Sequence, residues 1–372
     1  MAIGIDLNSV LTFAYYGLFI VFVAYGQRIQ YYITANSIDR SLKRLNVFKE
    51  KAIKETTEFF LETDKDKDKV RERIGEFLEY VTIMPESMDP KGIVNKLAQV
   101  TRTGDERVRS EVHTLLKDED PVRIASAQNL IEISGALNTI HKVVRHYYLT
   151  GKKTNSYITL LQLQMSLPQI LEQAGALAKA TDAFRKAQPI GDGAGPLVVS
   201  KLIGQAPMQK IARDTVMGST SYKGRTLYIL KAEGPMGYVG DPGVALQKIV
   251  EEMKIPLKAV IMIDAALKLE GEKSGEISEG VGAAIGGIGV EKYQIEQVAT
   301  QNNIPIYAIL IKESDVEAMT AMREEIAQAA GLAIKVIDRV LEEKTKEGDT
   351  VLVAGIGNTL GIGQGKQQQQ AN

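Results

Sequence analysis

At Ala187-Gln-Pro189 the chain changes character, and that change limits the folds open to it more than any other feature. Before it, apolar residues recur at helical spacing: Ile93, Val94, Leu97 and Val100 form one stripe, and Ile124, Ala127, Leu130 and Ile131 another. After it, glycine becomes frequent and short apolar runs alternate with helical segments. The spacing predicts strands over 210–216, 226–231, 259–264, 304–311 and 350–354, and helices over 196–203, 243–253, 290–301 and 316–342. Strand and helix alternating in this way predict an α/β domain over 187–363, a mainly parallel sheet sandwiched by helices. A helical region over 28–186 precedes it. A low-complexity tail, 364–372, is expected to be disordered.

Residues 7–27 carry no charge, while residues 28–54 hold seven Lys and Arg against two acidic residues. About 20 apolar residues cross a hydrocarbon core, and a basic flank marks the cytoplasmic side. The expectation is therefore a single transmembrane anchor over 1–27 in the cell membrane, with the N-terminus outside and the rest cytoplasmic. Tyr25, Tyr31 and Tyr32 would meet the lipid headgroups.

Lys and Arg number 45 against 46 Asp and Glu, so the formal charge is -1 and no nucleic-acid partner is expected. The absence of cysteine excludes disulfides, thiolate nucleophiles and thiolate-ligated metals. All three histidines precede residue 187. A metal in the second half would need an all-oxygen shell, which favours a hard divalent ion such as magnesium or calcium.

Two carboxylates in that half stand out. Val260-Ile-Met-Ile-Asp264 is an apolar run that ends on an acid, and the carboxyl ends of parallel strands face the crevice where ligands bind. Gly191-Asp192-Gly193 sets a second acid among glycines, which let backbone or substrate come close. Brought together, Asp192 and Asp264 could share a proton and activate water, or chelate a hard divalent ion. Two glycine clusters are candidates to bind substrate through backbone amides: Glu279, Gly280 and Gly282 with the glycines up to 289, and Gly355, Gly357 and Asn358. The second does not fit a nucleotide fingerprint. Leu360 stands where a third glycine is needed, and no helix is predicted to follow.

These motifs resemble a known superfold. Ala259 to Ala266, the loop from Glu279 to Gly289 and Asn303 to Ile309 are together similar to the spore germination protease and hydrogenase maturation protease superfold. In those relatives a strand-end aspartate forms the site with an acid in a D-x-x-G-P loop, which Asp192 to Pro196 resembles. Val351 to Leu360 looks like the superfold's first strand, here at the chain's end, which implies circular permutation. The whole chain resembles an uncharacterised archaeal membrane-protein family, a domain of unknown function. The resemblance implies a membrane-anchored peptidase or hydrolase in which Asp192 and Asp264 cleave a peptide or protein substrate. Two other readings stay open: a non-catalytic scaffold that forms homo-oligomers through its helical region, and small-molecule or nucleotide binding in the glycine crevice.

Overall fold

The computed structural model describes residues 7–63, 66–80, 92–116, 120–287 and 289–365. Five helices come first: α1 (Leu7–Leu61), α2 (Lys67–Leu78), α3 (Ile93–Leu115), α4 (Pro121–Lys153) and α5 (Tyr157–Arg185). Pro121 opens α4, where its missing N–H costs nothing, whereas Pro168 lies inside α5. The expected tail from Lys366 on lies outside the described residues.

Among the described residues no helix is long and apolar enough to cross a membrane. That finding corrects the transmembrane anchor, the single-pass localisation and the sidedness read from the charge-free run. Residues 7–27 are instead the opening of one continuous 55-residue helix.

The chain divides into two compact units. Residues 1–51 and 136–175 form one, a helical unit whose buried side chains include Ile38, Leu45, Leu137 and Leu160. Residues 52–135 and 176–372 form the other, which joins further helical segments to the α/β part. In this second unit Thr56 Oγ1 lies 2.8 Å from Ser134 Oγ and donates to the Leu130 carbonyl at 3.1 Å. Buried helix contacts there are thus polar as well as apolar.

The α/β part runs through α6 (Ala194–Ile203), β1 (Met208–Ala212), β2 (Thr215–Tyr222), β3 (Arg225–Ala232), α7 (Pro242–Gln247) and β4 (Leu257–Leu267). It continues with β5 (Ile277–Val281), α8 (Val290–Gln301), β6 (Ile306–Glu313), α9 (Asp315–Met319), α10 (Glu324–Lys344) and β7 (Thr350–Gly355). One seven-stranded sheet has the order β1-β2-β3-β7-β4-β6-β5. β3, β7, β4 and β6 are parallel neighbours, while β1, β2 and β5 pair antiparallel. The sheet is therefore mixed, which corrects the mainly parallel reading. Tight turns explain β1 and β2, since consecutive strands joined by two residues can only run antiparallel, whereas β5 reaches its partner β6 through α8. Arg213-Asp214 splits the expected strand over 210–216 into β1 and β2, and Lys223-Gly224 returns β2 into β3.

Helices cover both faces. α6 and α10 pack on one, where Val198, Val199, Ile326, Ala330 and Ile337 meet Ile229, Ile261, Ile263, Ile309 and Val353. α7 and α8 pack on the other, with Leu246, Ile295 and Val298 against Val260, Met262, Leu352 and Ala354. Ala259 to Asp264 are all buried, because β4 lies inside the sheet with helices on both sides.

Candidate functional site

Asp264 and the 355–358 segment sit side by side because β4 and β7 are parallel neighbours in register, Ile263 beside Gly355. Asp264 is 8% exposed. Its Oδ1 accepts the Ala265 amide at 2.8 Å, and the Gly286 amide also donates to this carboxylate. Asp192 comes from the short 191–193 turn at the head of α6. That turn is pressed onto the same strand ends: a Cβ at Gly195 would strike the carbonyl oxygens of Ile263 and Ile356, so only glycine lets α6 seat there. Asp192 Oδ2 accepts the Asn358 amide at 2.8 Å.

Both aspartates line one cavity of about 500 Å³. Its floor is Ile356 and Gly357, and one wall is Ile285, Gly286, Gly287 and Gly289 with the first turn of α8. α3 supplies further lining through Ala98, Thr101, Arg102 and Asp105, beside Arg213 and Asp241. Ion pairs hold α3 there. Arg213 Nη2 donates to Asp105 at 2.6 Å, and Arg109 pairs with the buried Asp214 through both guanidinium nitrogens. A smaller cavity of about 200 Å³ adjoins this wall, lined by Glu132, Tyr238 and Asn358 among others.

The electrostatics separate the two acids. Burial, with the charge of Asp192 added to it, pushes Asp264 up to about 7 against the pull of the Ala265 and Gly286 amides. Burial also raises Asp192, opposed by the Asn358 amide. The charge of Asp192 favours the proton on Asp264, so the pair can hold one proton between them, as an acid and a base in one site require.

The remaining candidates divide. Gly357 lines the cavity, and Asn358 holds Asp192 while its side-chain amide donates to the Gly237 carbonyl at 2.9 Å. Gly191 and Gly193 flank Asp192 as packing positions; a Cβ on Gly193 would meet Ile362 Cδ1 at 2.6 Å and the Asn358 carbonyl at 2.9 Å. Gly355 is covered by α6, where a Cβ would meet the Gly195 carbonyl at 2.5 Å. Glu279 and Gly280 belong to the edge strand β5, Gly282 follows it, and none of the three lines the cavity. Glu279 instead pairs with Arg339 of α10. The glycines that face the aspartates are those at 286, 287 and 289. Among the described residues no three His, Cys, Asp or Glu side chains are arranged to hold a metal ion.

Two contributions escaped the sequence reading. The α3 wall is a tertiary contact between distant segments, and Arg102 and Asp105 look like an ordinary solvated helix face. Glu313 is the last residue of β6, and the neighbouring Lys312 and Ser314 make it look like a wet strand end. Glu313 is buried, and neither of its carboxyl oxygens has a hydrogen-bond partner.

Fold and site together define an α/β protein with an aspartate-lined crevice at the carboxyl ends of its central strands. Residues 12–187 match the N-terminal domain of a protein of unknown function, DUF1512, and residues 190–363 match the C-terminal domain of the same family. The chain belongs to that family. No curated protein and no solved structure matches it, so the likeness to the protease superfold rests on the motifs alone.

Proposed function

We propose that the protein is a hydrolase of short peptides or similar small amides, with Asp192 as the base and Asp264 as the acid. The carrying observation is that these two carboxyls line one cavity, where the charge of Asp192 acts on Asp264. In this reading the charged Asp192 takes a proton from water as its oxygen attacks the substrate carbonyl carbon. The proton on Asp264 passes to the carbonyl oxygen; when the C–N bond breaks the leaving nitrogen takes a proton from Asp192, and the re-forming carbonyl returns its proton to Asp264. The first turn of α8 opens onto the cavity with no side-chain cap, so its free amides and positive dipole end favour an oxygen that gains charge. A cavity of about 500 Å³ suits a small ligand or a few residues of extended chain rather than a folded protein.

The test is hydrolysis of a short-peptide library by the purified full chain beside Asp192→Asn and Asp264→Asn. Each variant is expected to lose roughly 100-fold or more in kcat, the usual worth of a general acid or base. Full activity in both variants would end the proposal. The rate should also fall as pH rises through about 7, where Asp264 gives up its proton.

A further inference from the structure

Glu313 shares its sheet face with Ile309 and Ile311, which pack under α6 and α10, so alternation along β6 turns its side chain into that interior. It is 2% exposed, and both carboxyl oxygens lack a hydrogen-bond partner. Gly191 holds the space open, because a Cβ there would collide with Glu313 Oε2 and with the Glu317 carbonyl oxygen. Leaving a buried acid unpaired is costly, so its presence calls for a reason.

The charges that act on Glu313 from the packed elements are acidic: Asp192 on the turn, Glu317 on α9 and Asp264 on β4. The nearby cations are engaged elsewhere. Lys268 Nζ lies 3.2 Å from Glu317 Oε2, and Arg323 Nη1 lies 2.7 Å from Glu317 Oε1. Burial first, then Asp192, Glu317 and Asp264, push Glu313 up to about 8.

We propose that Glu313 is a third carboxyl of the site, a positioning residue that acts on the reaction through Asp192 by setting how many protons the aspartate pair holds. This rests on Asp192 and Asp264 being the working pair. With Glu313 neutral, the dry space behind Asp192 carries one negative charge, and Asp192 is free to act as base. When Glu313 ionises, a second charge enters that space and the pair grips its protons more tightly, so the working form is lost.

The experiment follows the ¹³C carboxyl signals of Asp and Glu in the full chain from pH 5 to 9.5, in the native protein and in Glu313→Gln, which keeps the neutral shape. The Asp192 signal should show a step where Glu313 titrates, absent from the variant. The alkaline limb of the hydrolysis profile should steepen toward two protons in the native protein and keep a slope of one in the variant. Identical Asp192 titrations in the two proteins would overturn the proposal, as would an unchanged limb beside a lost step. Should Glu313→Gln fail to fold, Asp192→Asn serves: the Glu313 midpoint should drop from about 8, and an unmoved midpoint refutes the coupling. A coupled titration combined with fully active Asp192→Asn and Asp264→Asn would instead sink the hydrolase reading and leave the coupling intact.

Discussion

Asp264 and Glu313 both pay for burial in the same coin, a proton held well above the usual carboxylate range, and that has a consequence for stability. Their ordinary values are 3.8 and 4.5, raised in the fold to about 7 and about 8. The stability each contributes is fully present below its unfolded value and is lost as pH rises through the folded one. Glu317 works oppositely: burial resists its charge, but the Ser314 amide and the side chains of Ser274 and Lys268 hold it down to about 2, so its contribution disappears only in strong acid. Thermal unfolding should therefore show a Tm that declines from about pH 5 to about pH 7, by several degrees for a fold of this size, before buried Lys231, lowered to about 7, offsets the trend. A Tm that climbs over that range would contradict these assignments. Gly191→Ala should destabilise by roughly 1–3 kcal/mol in denaturant unfolding, because its Cβ strikes Glu313 and the Glu317 backbone together. The two aspartates were legible from sequence since strand ends and glycine turns advertise themselves. Glu313 was not, because burial is decided by what α6 and α10 bring over it.

At the scale of elements, the helix over 290–301 and the strands near 226–231, 259–264 and 350–354 could be read from period and length. Three features could not. β5 is short and glycine-bearing, the helix expected over 316–342 breaks at 320–323 into α9 and α10, and β1 and β2 fold back on a turn at Asp214, which has a positive φ of 49°. Tertiary packing overrides local preference at each of them. The start of α9, by contrast, follows the capping rule: Ser314 caps the Glu317 amide at 3.2 Å and Glu317 returns to the Ser314 amide at 2.8 Å. Replacing Ser314 by Ala should cost about 1 kcal/mol. Gly195→Ala should cost more, about 3 kcal/mol, since the added methyl meets two backbone carbonyls that cannot rotate away. Equal losses for the two variants in urea unfolding would mean that α6 does not sit as close to β4 and β7 as described.

Within the larger compact unit the site is completed by a helix far from the sheet in sequence. α3 is fixed to the β1–β2 turn through Arg109 with Asp214 and Arg213 with Asp105, and Asp214 is 6% exposed. Removing Asp214 leaves Arg109, 30% exposed, without its carboxylate, at roughly 1–3 kcal/mol. Asp214→Ala should thus destabilise the unit and speed amide hydrogen exchange along α3 before it does so in β4 or β7. Uniform exchange would deny α3 its role as wall. The whole account turns on Asp192 and Asp264 acting on each other. The most direct measurement is the carboxyl titration of Asp264, followed by ¹³C NMR in the native chain and in Asp192→Asn. The native midpoint should lie near 7, and in the variant it should fall while staying above 3.8, because burial remains when the neighbouring charge is gone. A midpoint unmoved by the substitution would mean that the two aspartates share a cavity without sharing a charge.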